Sequence, residues 1–260
     1  MEKKKKINYF LIVFRLIVIV IILVCLYNIF VWYKENKASE EMLGKVSNYV
    51  DKENTKTVTI ADENEDETED INLYNIDFNS LLAENNSTVG WIKVYNTNID
   101  YPVVQHTDND FYLTHSFNKS YNSAGWIFAD YRNDMTNFDN NTVIYGHNRR
   151  NASMFSTLNN ILEEYWYTNP ENKYVYFYTP NGTMIYEIFS VYKIEAESYY
   201  LTTSFANNSE YLNFLDKLKN RSIYNFGIRL NENDKIITLS TCSSSNAYRT
   251  VLHAKLVYAD

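Results

Sequence analysis

Residues 235–257 read KIITLSTCSSSNAYRTVLHAKLV. In KIITLST, Ile236, Thr238 and Ser240 fall on one face and Ile237 and Leu239 on the other, the period-two pattern of a β-strand. Cys242 comes just past that run, followed by the loop-like SSSN. RTVLHAKLV, opened by Arg249, then reads as the next strand. A thiol at a strand end is accessible in a way that a mid-strand thiol is not, and sites grafted onto barrels usually lie at such ends. Packing and chemistry both remain open for it on these grounds.

Outward from this stretch the same kind of run recurs. Strand candidates lie at residues 89–94, 100–104, 124–129, 141–145, 174–179, 183–194, 235–241 and 249–258, and several alternate, as in MIYEIFSVYKI. Aromatics make up 16% of the chain, with 24 tyrosines, which favours pleated, half-buried surfaces. A short helix is expected over residues 77–84, capped by Asp77 or Asn79. Two helical patches interrupt the strands. MFSTLNNILEEYWY spaces Phe155, Leu158, Ile161 and Leu162 by three and four, and SEYLNFLDKLKN does the same with Leu212, Leu215 and Leu218. There is no regular βαβ alternation and no internal repeat. The fold class expected is mainly β: a closed or nearly closed barrel with inserted helices.

The N-terminus differs in kind. Residues 16–33, LIVIVIILVCLYNIFVWY, hold one strongly polar side chain, Asn28. At about 1.5 Å per residue they span roughly 27 Å, close to a bilayer's hydrocarbon thickness. Lys3 to Lys6 precede them, and Trp32 and Tyr33 stand where an aromatic belt would be. A cleaved signal peptide would be shorter and end in small residues, so a retained anchor is the reading taken. Cys25 lacks the small residues expected before a lipid-modified cysteine. The expected organisation is a cytoplasmic basic segment at 1–7, a transmembrane anchor at 8–33, an extracytoplasmic stalk at 34–70 and a catalytic domain at 71–260. Residues 34–50 read as a helix leaving the membrane. Residues 51–70 carry nine acidic and two basic side chains, seven of the acids within 62–70, and are expected to be a solvated linker. Residues 36–260 hold 18 basic and 30 acidic groups, a net charge of −12 that disfavours nucleic acid as a partner.

With Cys25 in the membrane, Cys242 is the single cysteine of the exported part and has no intramolecular disulfide partner. An unpaired thiol outside the cytoplasm is a liability unless it has a task, although free cysteine is also a common small hydrophobe. A nucleophilic thiolate needs a base or cation beside it. His147, in NTVIYGHNRR, also directly follows an apolar strand. If that strand and KIITLST are parallel neighbours, the two side chains meet at one rim. Arg249 can donate two hydrogen bonds to a carbonyl or developing oxyanion. His253 lies within a strand and reads as structural. His106 and His115, near Asp108 and Asp110, match no metal-ligand spacing.

Together these residues resemble the sortases, the cysteine transpeptidases of Gram-positive cell surfaces. TLSTC with a following arginine, and YGHN about 95 residues earlier, carry the resemblance. DNDFYLTHSFNKSYNSAGWIFAD, NTVIYGHNRRNASMFSTLNN and the helix-bearing insertion near residues 204–220 resemble class B in particular. The resemblance covers roughly residues 73–260. It implies a sortase-type barrel of about eight strands, with Cys242 as nucleophile, His147 as general acid–base and Arg249 as oxyanion stabiliser. It also implies that Asn109, Leu113, Tyr145 and Ser240 line the substrate groove. The implied reaction cleaves a C-terminal sorting signal after threonine. It passes through a thioester to a peptidoglycan-precursor amine, with no metal or organic cofactor. The short Cys242–Arg249 interval departs from the acidic or aromatic loop often found there. An anchored cysteine endopeptidase that hydrolyses its substrate and a non-enzymatic surface-binding domain are the alternatives.

Overall fold

The computed structural model describes residues 9–61, 68–242 and 248–260. The basic segment expected at 1–7, the core of the acidic run at 62–67 and residues 243–247, where a loop is expected, lie outside the described residues.

Helix α1 (Tyr9–Ser47) is 39 residues long. Among the described residues it is the one helix long and apolar enough to cross a membrane. The helix expected for residues 34–50 is its unbroken continuation. Here the pattern changes: Asn36, Ser39 and Val46, spaced by three and seven, are buried against the rest of the protein.

Strands β1 (Val50–Ala61) and β2 (Thr68–Ile76) pair antiparallel as a separate two-stranded sheet. This corrects the expectation of a solvated linker for the described parts of residues 51–70. Charge density argued for chain expansion. Yet Val58 and Ile60 follow a period of two, and Val58 stands opposite Ile71, so that with Leu73 they make a buried apolar face. The sheet lies on the barrel: the Tyr74 ring stacks on Tyr178 with centroids 6.0 Å apart, and the Tyr174 hydroxyl donates to Glu69 at 3.1 Å.

Helix α2 (Phe78–Glu84) is capped by Asp77, whose carboxylate accepts from the Ser80 N–H at 3.1 Å. The barrel then follows from β3 (Thr88–Val94), β4 (Asp100–Gln105), β5 (Phe128–Ala129), β6 (Asn141–His147), β7 (Tyr174–Thr179), β8 (Gly182–Glu195), β9 (Ile236–Cys242) and β10 (Tyr248–Ala259). They close in the order β10-β8-β7-β3-β4-β5-β6-β9. Two neighbouring pairs, β4/β5 and β6/β9, are parallel; the others are antiparallel. All of β7 is buried, because its inner face fills the barrel and its outer face lies under the β1–β2 sheet.

Two expectations are adjusted. The run 124–129 is buried, but only Phe128–Ala129 is strand, since Gly125 adopts φ +61° and the Trp126 N–H turns back to the Tyr112 carbonyl at 2.9 Å. The patch after Met154 winds as a 3₁₀ helix over Ser156–Leu162 before α3 (Glu164–Tyr167). Helix α4 (Asn208–Asn220) matches its expectation. Asn207 caps it, and Tyr211, Phe214, Leu215 and Leu218 face a second apolar cluster with Phe189, Tyr192 and Val251.

Candidate active site

Strands β6 and β9 lie side by side and parallel, with Tyr145 opposite Ser240, Gly146 opposite Thr241 and His147 opposite Cys242. The two residues singled out in the sequence therefore end adjacent strands at one rim. β10 runs antiparallel to β9 with Val251 opposite Ser240. Continued two residues beyond the last paired position, that register would bring Arg249 level with Cys242. The Thr250 N–H donates to Thr241 Oγ1 at 2.9 Å and continues the contact between the two strands toward the rim.

The His147 position is built by small residues around it. A Cβ on Gly146 would come within 2.5 Å of the Phe155 ring, so glycine lets Phe155 pack against the strand end. A Cβ on Gly125 would meet His147 Cδ2 at 2.8 Å and the Tyr112 carbonyl at 2.6 Å, and its φ is one that glycine tolerates. His147 Nε2 lies 2.7 Å from the Leu113 carbonyl oxygen. A carbonyl can only accept, so Nε2 carries a proton and Nδ1 is the basic nitrogen of the neutral ring.

Arg249 stands between two cavities of about 660 Å³ each. One is lined by Tyr145, Tyr199, Tyr200, Leu201, Ser240 and Thr241; the other by Trp32, Leu113, His147, Arg149 and Arg150. Three of the four expected groove residues line these cavities, Tyr145 and Ser240 on one side and Leu113 on the other. Asn109 is placed differently. Its side-chain amide donates to Asp130 at 3.1 Å, and the Tyr145 hydroxyl donates to the same carboxylate oxygen at 2.8 Å.

Asp130 is the residue that sequence reasoning missed. It is fully buried, in contact with Tyr145 of the first cavity's lining. Burial alone would raise its carboxyl, but the Arg132 guanidinium, at 2.7 and 2.8 Å, and the Tyr145 hydroxyl hold it below the usual carboxylate range. Arg132 also donates to the Leu201 carbonyl at 2.9 Å, linking the segment after β5 to a residue that lines the first cavity. Tyr200 was missed too; its hydroxyl is 3.0 Å from Ser240 Oγ. The one local signal was an acid and a base, Asp130 and Arg132, directly after an apolar run.

The other histidines are occupied elsewhere. His106 and His115 stack on Phe111, with centroids 4.4 and 4.0 Å away. His253 is fully buried. Thr238 spends its hydroxyl proton on Asn141 at 2.6 Å and so accepts from His253 Nδ1 at 2.8 Å, while Nε2 accepts from Tyr192 at 2.8 Å. Burial lowers its pKa to about 3 and keeps it neutral.

The Cys242 backbone position, the His147 imidazole and the Arg249 guanidinium thus lie at one barrel mouth beside the two cavities, an arrangement suited to acyl transfer. A sequence model described as the Sortase domain matches residues 92–257. Sortase B of Listeria monocytogenes is 35% identical over 229 residues, covering 86% of this chain and 87% of that protein. The solved Staphylococcus aureus sortase B–substrate complex is 36% identical with a TM-score of 0.66, covering 69% of this chain and 84% of that one. Sortase B from B. anthracis in complex with AAEK1 is 32% identical with a TM-score of 0.72, covering 86% and 99%. By family, by relatives and by fold, the chain belongs to the sortases, as a cysteine transpeptidase of class B.

Proposed function

We propose that this sortase is a membrane-anchored enzyme. It cleaves a C-terminal sorting signal after threonine and joins the released protein to a peptidoglycan-precursor amine. The observation that carries the reading is the parallel register of β6 and β9, with His147 opposite Cys242. The Cys242 thiol gives its proton to His147 Nδ1; the resulting thiolate attacks the threonine carbonyl, and the electron pair moves onto its oxygen, where Arg249 donates hydrogen bonds. As the tetrahedral intermediate collapses, the C–N bond breaks and His147 protonates the departing amine. A thioester remains. The acceptor amine attacks it, loses a proton to His147, and the thiolate leaves. Because the Leu113 carbonyl holds Nε2–H, Nδ1 is the nitrogen that exchanges these protons. Asn109, acting through Asp130, and Leu113, Tyr145 and Ser240 shape the groove for the sorting peptide. A sortase B solved with a substrate and one complexed with triglycine support a peptide groove and an amine acceptor.

Residues 1–7 are assigned to the cytoplasm, 8–33 to the bilayer, and 34–70 and 71–260 to the outer face, by the Lys3–Lys6 cluster and the apolar length of α1. Cys242→Ala is expected to abolish cleavage of a threonine-containing sorting peptide. Mass spectrometry of the wild-type protein is expected to trap the acyl group on Cys242. Retained cleavage by the alanine variant would reject the mechanism.

A further inference from the structure

The anchor helix reaches the active site. Trp32 lines the same cavity as His147 and Leu113. One turn later Asn36 Oδ1 accepts from Arg149 Nη2 at 2.6 Å and from Asn151 Nδ2 at 3.3 Å. Arg149 and Asn151 belong to the loop that leaves β6 just after His147. That loop folds back on itself: the Phe155 N–H donates to the His147 carbonyl at 3.0 Å, and Ser156 Oγ bonds both backbone groups of Arg149. The same turns of α1 also grip the opposite wall. Asn122 Nδ2 donates to the Glu35 carbonyl at 2.9 Å and to Ser39 Oγ at 3.1 Å, and Ser123 donates to the Glu35 carboxylate. Asn122 in turn accepts from Gly125 and donates to Thr114 through its backbone, both at 2.9 Å, within the segment that presents the Leu113 carbonyl. One stretch of helix thus touches the loop that follows the imidazole-bearing residue and the segment that carries its hydrogen-bond acceptor.

We propose that Asn36 is a positioning residue: through Arg149 it holds the His147 loop at the distance from Leu113 that aligns the imidazole. The anchor is then a structural member of the catalytic site and not only a tether. This rests on the reading of His147 as general acid–base. The contact is specific in its chemistry. Asn36 is buried and uses its oxygen alone; its Nδ2, like Arg149 Nε, has no hydrogen-bond partner among the described residues. An aspartate would keep the oxygen and remove the unmet donor.

The test uses the full chain in lipid nanodiscs. Cleavage of a quenched threonine-containing sorting peptide and its transfer to triglycine are followed under saturating and limiting peptide. Asn36→Ala is expected to lower kcat about tenfold with KM little changed, the pattern of lost alignment in place of lost binding. Asn36→Asp is expected to restore most of kcat. Arg149→Ala combined with Asn36→Ala is expected to lose no more than the worse single variant, because one contact is removed twice. Lys45→Ala, which breaks the helix's surface contact to Glu84, is expected to leave kcat unchanged. Melting curves accompany each variant; if Asn36→Ala does not fold, Asn36→Gln, which displaces the acceptor by one methylene, carries the same comparison. Wild-type kcat in Asn36→Ala, no recovery in Asn36→Asp, or additive losses in the double variant would each overturn the proposal. Cys242→Ala and His147→Ala run alongside. If they are inactive while Asn36→Ala is normal, only the positioning role fails; if either is active, the catalytic reading fails and this proposal with it.

Discussion

Asp130 is a buried carboxylate that bears on the proposed groove only through the side chains it holds. It collects Arg132, Tyr145 and Asn109 on one buried group. Asp130→Asn keeps the shape but removes the charge facing the Arg132 guanidinium. It is expected to raise KM for peptide several-fold with a smaller effect on kcat, read from steady-state kinetics. Gly125 acts at shorter range. Gly125→Ala forces a Cβ against His147 and two carbonyls at a φ of +61°. We expect a fall in kcat together with a stability loss of about 1–3 kcal/mol by denaturant unfolding. His253 governs behaviour in acid. Its folded pKa of about 3 lies below its ordinary 6.5, so the folded state refuses a proton that the unfolded chain accepts. Its contribution is complete above pH 6.5 and is lost progressively as pH falls toward 3. Unfolding free energy measured from pH 6.5 to 5 is expected to decline less steeply in His253→Gln than in the parent, by up to about 1.4 kcal/mol per pH unit.

Among the elements, those with strong local patterns were legible in the sequence. Residues 174–179 alternate within a run of aromatics and form β7 over the same residues. Residues 208–220 show apolar spacing of three and four behind an asparagine cap and form α4. Leu215→Ala in α4 is expected to cost about 2–5 kcal/mol, since a fully buried leucine leaves a cavity between the helix and β8. What the sequence did not disclose depends on partners far along the chain. The β1–β2 sheet is stable because it finds an aromatic floor on β7, a feature no local reading of an acid-rich segment contains. The same holds for Asp130, which meets Tyr145 15 residues on, and for its partner Arg132, which reaches Leu201 69 residues on. Asn36 likewise meets Arg149 only once helix and barrel dock. The thiol, imidazole and guanidinium were legible as candidates because each sits at the edge of a readable strand. His147 and Cys242 become neighbours only through the parallel pairing of β6 and β9, and Arg249 nears them only through the pairing of β10 with β9.

At the scale of the whole molecule, the roles proposed for His147 and Cys242 tie the onset of activity to that pairing. His147 and Cys242 are joined by residues 148–241, which build β7, β8 and α4 before the chain returns to lie beside β6. Such distant pairing forms late, because the closure entropy of the intervening chain must be met first. On the proposed mechanism an emerging chain carries its sulfur and its imidazole as strangers, and its reactivity is expected to begin with the seating of β9. During refolding, turnover should return with the slowest phase, after most secondary structure has formed. On that reading the β6–β9 seam is the ignition switch: a transpeptidase stays inert until it has finished making itself.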